Sequence, residues 1–272
     1  MKILLINLDR SSDRLSFQTD QFRTLGVEFE RLPAVNASDI PQEYFEKHQF
    51  DWQRPISITE LACVQSHALA WQKCLELEEA VLILEDDCVF STTLPRVLAS
   101  LENQPKGVDR VNLETRVKKK LMGANGRSVE EGANIHSLWI DKGGAACYVL
   151  YPSGAKKLLQ KQQTYGWATA DAFIGDLGAL KNFQLMPAVA VQFDVSNLYY
   201  GLVNIPSEFV TKRASTIVKS QLPKYQWNWS FIKMRLKRSL QQVRLFGNYV
   251  RLSKRLEVCP PLHPEGFERY KE

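Results

Sequence analysis

Four apolar residues, Val81-Leu82-Ile83-Leu84, run directly into three acids, Glu85-Asp86-Asp87. An unbroken apolar run this short fits a strand covered on both faces, as in the centre of a parallel α/β sheet. The acids then emerge at its carboxyl end, where open α/β sheets hold their ligands. Adjacent carboxylates repel one another, and a hard divalent cation with oxygen ligands, Mg²⁺ or Mn²⁺, removes that repulsion. Side chains alternate along a strand, which places Glu85 and Asp87 on one side and Asp86 on the other. Two readings fit this stretch. It is a metal site that holds a nucleotide diphosphate, or it is an acidic turn after a buried strand.

The segments before it read as a βαβ opening. Lys2 to Leu8 forms a first strand. Ser11 or Ser12 caps a helix whose apolar positions are Leu15, Phe22 and Leu25, and Gly26 stops it. Val27 to Leu32 forms a second strand, ending at Pro33. This order predicts an α/β sheet. Neither GxGxxG nor a P-loop pattern is present, which weakens dinucleotide-binding and phosphate-loop readings. Asn7, Asp9, Arg10, Asp13 and Arg14 cluster past the first strand. They suit a ribose, base or phosphate contact, and equally a solvated helix start.

Residues 34–58 read as an ordered loop with Trp52, Arg54 and Pro55. Thr59 then caps a helix with a core face of Leu61, Val64, Ala68, Trp71 and Leu75. Glu60, Ser66 and His67 are its polar residues of interest, and His67 is either a site residue or a structural one. A helix over 91–101 and a strand over 110–113 follow. Residues 115–134, rich in Lys and Gly, predict a mobile loop that is a lid over a phosphorylated ligand or simply solvated surface. Gly143 to Leu150 passes from small residues to a buried strand, and Pro152 opens another helix. A further helix spans 169–180, with Asp171 near its start and Asp176 beyond. Asp171 is a cap-region acid or a catalytic carboxylate. A last strand covers 183–193, interrupted at Pro187.

The 272-residue chain is 44% hydrophobic and 24% charged, enough to bury a proper core. Its five cysteines are scattered without a CxxC pair, which argues against a disulfide framework and structural zinc. The apolar run at the start is too short for a signal-peptide core, and no stretch approaches a membrane span, which predicts a cytosolic protein. Charge divides the chain into a body over 1–210, net −5, and a region over 211–272, net +10. In the latter, Phe231, Leu236, Leu240, Val243, Phe246 and Val250 alternate with Lys233, Arg235, Lys237, Arg238, Arg244 and Arg251, after Trp227 and Trp229. This predicts a basic amphipathic helix suited to an anionic membrane surface, or packed on the body. No nucleic-acid motif accompanies it.

Together these stretches resemble glycosyltransferase family 25, which includes bacterial lipooligosaccharide galactosyltransferases and collagen galactosyltransferase domains. The resemblance spans about residues 2–200. It rests on INLDRSSDR at 6–14, TELACVQSHALAWQK at 59–73, VLILEDDCVF at 81–90, GGAACYVLYPSGAKKLL at 143–159, and Asp171. Thr59 and Ala62 depart from the family's two glycines, and Ala-Thr-Ala precedes Asp171. The resemblance implies a GT-A-like, Rossmann-type sandwich with a central, mostly parallel sheet, here followed by the basic helical C-terminal region. It implies a UDP-sugar donor, most often UDP-galactose, a Mn²⁺ or Mg²⁺ ion, and inverting transfer to a saccharide of lipooligosaccharide or lipopolysaccharide.

On this reading Glu85 and Asp87 ligate the metal. Asp171 is the base, with Asp176 second. Asn7, Leu8, Asp9, Arg10, Arg14, Glu60, His67, Glu85 and Asp86 bind or support the donor. A lipid-linked acceptor and the basic tail place the enzyme on the inner face of the cytoplasmic membrane. The alternatives are a catalytically inactive nucleotide-sugar or carbohydrate-binding protein, a nucleotidyltransferase or phosphatase, and a membrane- or RNA-binding scaffold.

Overall fold

The computed structural model describes residues 1–103, 105–141, 143–175, 180–202, 204–206, 208–209, 231–232, 234–236, 238–240, 243 and 255–271. The chain opens with Lys2–Asn7 (β1), Ser12–Leu25 (α1), Glu30–Pro33 (β2), Gln42–His48 (α2) and Ile58–Leu77 (α3). Val81–Glu85 (β3), Cys88–Phe90 (β4), Leu94–Glu102 (α4), Arg110–Asn112 (β5) and Glu114–Thr115 (β6) follow. Lys120–Glu130 (β7), Ala133–Ile140 (β8), Cys147–Leu150 (β9), Pro152–Tyr165 (α5) and Ala170–Ile174 (α6) come next. Asn182–Met186 (β10), Ala190–Gln192 (β11), Phe193–Tyr200 (α7) and Arg255–Val258 (β12) complete the order.

A nine-stranded sheet runs β12-β7-β8-β10-β5-β9-β3-β1-β2. The α/β sandwich expected from the sequence is what forms. β3 lies inside the sheet, parallel to β1 with Lys2 opposite Val81, and antiparallel to β9 with Val81 opposite Leu150. Its four apolar residues are fully buried. Leu82 and Leu84 pack on one face with Phe22 of α1 and Leu98 of α4. Val81 and Ile83 pack on the other with Trp71 of α3 and Leu158 of α5. That double burial is why the strand reads as an apolar run instead of an alternation.

The sheet is mixed. β1 pairs in parallel with β2 and β3, and β10 with β5, whereas the pairings β12–β7, β7–β8, β8–β10, β5–β9 and β9–β3 are antiparallel. Besides β9, which is antiparallel to both β3 and β5, the antiparallel part arises where a mobile loop is expected. Residues 120–140 form the β7–β8 hairpin instead. Lys120, grouped with the loop lysines in the sequence, is buried, pairing with Asp141 (3.1 Å) and donating to Gln184 Oε1 (2.8 Å). Lys118 and Lys119 are exposed.

Other boundaries shift. Ser57, not Thr59, caps α3: its hydroxyl accepts from Glu60 N, and the Glu60 carboxylate accepts from Ser57 N, a reciprocal capping box. Ser11 occupies the cap position of α1, but its side chain makes no capping bond. Residues 34–58 contain a 3₁₀ turn and α2. The helix around Asp171 ends at Ile174. The segment after Leu180 makes two strands in different sheets, with β11 between β4 and β6.

Residues 231–232, 234–236, 238–240 and 243 are helical, as expected of the basic tail. Its last part is not. β12 pairs antiparallel with β7, Ala188 N donates to Pro261 O (2.8 Å), and the Tyr270 hydroxyl donates to Gln21 Oε1 on α1. The end of the chain is thus built into the body.

Candidate active site

The carboxyl end of β3 opens into a cleft of about 330 Å³, walled by the β1–α1 connection, α3, β3 and the start of α6. Ligand clefts commonly measure roughly 300–1,000 Å³. Leu8, Arg10, Arg14, Glu60, His67, Glu85, Asp86, Asp87 and Asp171 all line it. Of the residues expected at the site, Asn7 and Asp9 are not among its walls. Asn7 is buried behind it, and Asp9 is exposed and pairs with Arg31. Asp176 lies outside the described residues.

Glu85 is aimed by a chain of hydrogen bonds from the core. Trp71 Nε1 donates to the Tyr148 hydroxyl (2.9 Å). That hydroxyl meets His67 Nδ1 at 3.0 Å, and His67 Nε2 meets Glu85 Oε1 at 3.1 Å. With the tyrosine oxygen accepting from Trp71, its own proton is available to Nδ1, which assigns the imidazole proton to Nε2, facing the carboxylate. Trp71, Tyr148 and His67 are fully buried, so the relay is rigid. Burial pushes Glu85 up, but the His67 hydrogen bond and the Arg116 and Arg14 charges pull it further down, and its carboxyl stays below the usual range.

Asp86 faces the other way. Its Oδ2 accepts from Asn7 Nδ2 (2.7 Å) and its Oδ1 from Arg14 Nη1 (3.0 Å). Asn7 also accepts from Arg31 Nε through Oδ1 (3.0 Å) and donates to Ser11 O. Gln18 of α1 donates to Asp86 O and Cys88 O. The middle acid therefore staples the β1–α1 connection to the end of β3, and both of its oxygens are already engaged.

Asp87 is different. Burial and the Glu85 and Asp86 charges push its carboxyl well above the usual range. Its Oδ1 is buried with no hydrogen-bond partner among the described residues. An orphaned, buried carboxylate oxygen next to a second carboxylate, both facing one cleft, is a fitting donor set for Mn²⁺ or Mg²⁺. Glu85 and Asp87 are the residues that could hold such an ion.

Across the cleft, Asp171 sits in the first turn of α6. Its Oδ1 accepts from Gly144 N (3.0 Å), and the residue lines the cleft. Gly144 has φ 155°, and a Cβ there would collide with Asn112 and Asp141, so only glycine brings this amide to Asp171. The loop is anchored beneath by Arg110, which donates to Gly144 O and pairs with Asp141 (3.3 Å). Glu60 lines the cleft but serves Arg54 (2.6 and 3.0 Å) and the α3 cap.

Three contributors lie outside the residues expected at the site. Arg116, paired with Asp194 (2.5 Å), brings positive charge to the cleft from the segment expected as a loop. Arg54 reaches it from the α2–α3 connection. Cys63 stands one turn before His67 on α3, its thiol pushed well up by burial and by Glu85.

The family model for glycosyltransferase family 25 (LPS biosynthesis protein) matches residues 1–174. The chain belongs to glycosyltransferase family 25. A glycosyltransferase 25 family member of Aedes aegypti is 26% identical over 186 residues, 63% of this chain and 30% of its own length. A Haemophilus influenzae protein described as a glycosyltransferase is 25% identical over 205 residues, 69% of each chain. This family 25 chain thus spans under a third of the insect relatives it matches. A solved glycosyltransferase involved in glycosylation of the major capsid of PBCV-1 aligns with TM-score 0.37 and 9% identity, covering 71% of this chain and 94% of that one.

Behind the cleft, fully buried Glu114 accepts from Ala146 N (2.9 Å) through Oε1, while Oε2 has no partner among the described residues. Burial pushes its carboxyl up to about 7, with Asp171 adding to the rise and Lys120 opposing it. A raised acid holds its proton more tightly folded than unfolded. Its stabilising effect is complete below about 4.5, declines as pH rises to about 7, and is absent above. Denaturant titrations across this range should therefore show wild type losing about 3 kcal/mol relative to Glu114→Gln. Parallel pH profiles for the two proteins would contradict this assignment.

Proposed function

We propose that this chain is an inverting hexosyltransferase that moves a sugar, galactose in β linkage, from a UDP-sugar to a saccharide acceptor of lipooligosaccharide or lipopolysaccharide. The observation that carries the reading is the convergence of Glu85, Asp87 and Asp171 on one cleft, in a member of a glycosyltransferase family. Glu85 and Asp87 would hold Mn²⁺ or Mg²⁺, which when bound neutralises charge on the departing diphosphate. Arg116 and Arg14 add positive charge on the same walls, suited to phosphate oxygens.

Asp171 Oδ2 takes the proton of the acceptor hydroxyl. The hydroxyl oxygen bonds to the anomeric carbon from the face opposite the diphosphate, and the bond from that carbon to the phosphate oxygen breaks with its electron pair leaving on UDP. The Gly144 N–H holds Asp171 Oδ1 and so orients the carboxylate. His67, through Nε2, is a positioning residue for Glu85.

The same proposal puts the protein at a membrane surface, where a lipid-linked acceptor resides. Ile232, Leu236, Leu240 and Val243 are 39%, 58%, 72% and 72% exposed at helical spacing, with exposed Arg235 and Arg238 beside them. Met234, on the same helical stretch, is buried. No helix among the described residues is long and apolar enough to cross a membrane, and the contact proposed is that of an amphipathic helix lying on the surface.

Two experiments test these parts. Asp171→Asn should lower kcat by about 10²–10⁴-fold while leaving UDP affinity nearly unchanged. Equal loss of both would remove Asp171 from the role of base. Leu236→Glu combined with Leu240→Glu should abolish co-flotation with vesicles containing anionic lipid, whereas undiminished flotation would refute the membrane contact.

A further inference from the structure

The cleft holds a second donor set of a different chemical character. Cys63 and His67 are four residues apart on α3 and share a face, one turn above the other. The Cys63 thiol, a His67 ring nitrogen and a Glu85 carboxylate oxygen all lie within 4.8 Å of one another. Among the described residues no other three such side chains converge in this way. The other described cysteines are placed differently: Cys74, Cys88 and Cys147 are buried, and Cys259 is exposed on the surface.

We propose that Cys63, His67 and Glu85 form a binding site for a zinc-class divalent ion, and that this ion and the oxygen-ligated one of Glu85 and Asp87 exclude each other because both need Glu85. The chemistry separates the two ions. Thiolate and imidazole select zinc, while carboxylate oxygens suit Mg²⁺ and Mn²⁺. One thiolate, one neutral imidazole and one carboxylate also balance the two positive charges. Three protein ligands leave a coordination position open to the cleft, the pattern of an exchangeable site and not of a closed structural one.

The geometry is partly in place. His67 Nε2 and Glu85 Oε1 are 3.1 Å apart, the spacing of two ligands on one ion. Asp87, with an oxygen buried and without partner, adds negative charge from the same cleft. The proton balance is definite. The Cys63 thiol loses its proton to solvent. The Nε2 proton of His67 is given up and one is gained at Nδ1, so the imidazole remains neutral and turns its N–H toward the Tyr148 oxygen, 3.0 Å away. One proton is released per ion bound, and affinity rises with pH.

The consequence for activity rests on the proposed transferase function; the binding itself does not. The probe is Co²⁺, titrated into the full chain and followed by its thiolate charge-transfer absorption. Wild type and Cys259→Ser should give a band that saturates at one equivalent and is displaced by Zn²⁺. Cys63→Ser should give no such band, and His67→Gln should weaken binding by more than about tenfold. Thermal melts of each variant establish that it is folded. A band that is absent in wild type, or that persists in folded Cys63→Ser, would overturn the site.

In the transfer assay, Zn²⁺ should inhibit wild type and excess Mn²⁺ should restore the rate. Cys63→Ser should show no such inhibition relative to its own zinc-free rate. Zinc that binds through Cys63 but leaves the rate unchanged would overturn mutual exclusion. A chain that shows the cobalt band but transfers no sugar would refute the proposed function and leave the metal site standing.

Discussion

The burial of β3 on both faces decides most of what surrounds it. Leu82 and Leu84 need the α1 and α4 side, and Val81 and Ile83 need the α3 and α5 side, so both layers must close over one strand. A strand gripped this way cannot slip by a residue without driving acids into the core. The three carboxylates that follow are therefore fixed where the two layers part. The repulsion among them is resolved unequally. Asp86 receives Asn7 and Arg14, Glu85 receives His67, and Asp87 receives nothing comparable among the described residues.

This inequality divides structure from chemistry within a single tripeptide. The Asp86 pair is buried, and removing one partner of such a pair leaves an uncompensated charge, a loss of about 3–5 kcal/mol. Asp86 is thus a structural acid that ties β1 and α1 to β3. Glu85 is oriented through His67, Tyr148 and Trp71, a path running from the α3–β9 core to the cleft. Asp171 is oriented through Gly144, which Arg110 and Asp141 hold from below. Glu85, at the end of β3, and Asp171, in the first turn of α6, are thus both aimed by groups anchored in the sheet and the core.

What the sequence makes legible follows from which signals are local. The β3 run, the 3.6-residue periodicity of α3 and the βαβ opening are patterns within one element, and all appear in the structure. The β7–β8 hairpin is not legible, because its glycines and lysines resemble a loop and Lys120 is buried only through Asp141 and Gln184, which come later in the chain. The Ser57 cap was present as Ser-Ile-Thr-Glu, a capping box displaced by two residues from the expected Thr59. Asn7 and Asp9 carry suitable chemistry but face Asp86 and Arg31 instead of the cleft walls. Arg116 joins the site only through tertiary placement, whereas Cys63 lies four residues before His67 on α3, a spacing the sequence does record.

In the proposed function, metal-dependent transfer from a UDP-sugar is built around Asp87, whose Oδ1 is left without a partner among the described residues. It is tested most directly by measuring UDP release from a panel of UDP-sugars, with Mn²⁺ or Mg²⁺ and with chelator, for wild type and Asp87→Ala. The account predicts release from one preferred donor, UDP-galactose, that requires the ion and is lost in the variant. Release that is unaffected by chelator and by Asp87→Ala, or no release from any donor by a folded chain that binds UDP, would contradict it.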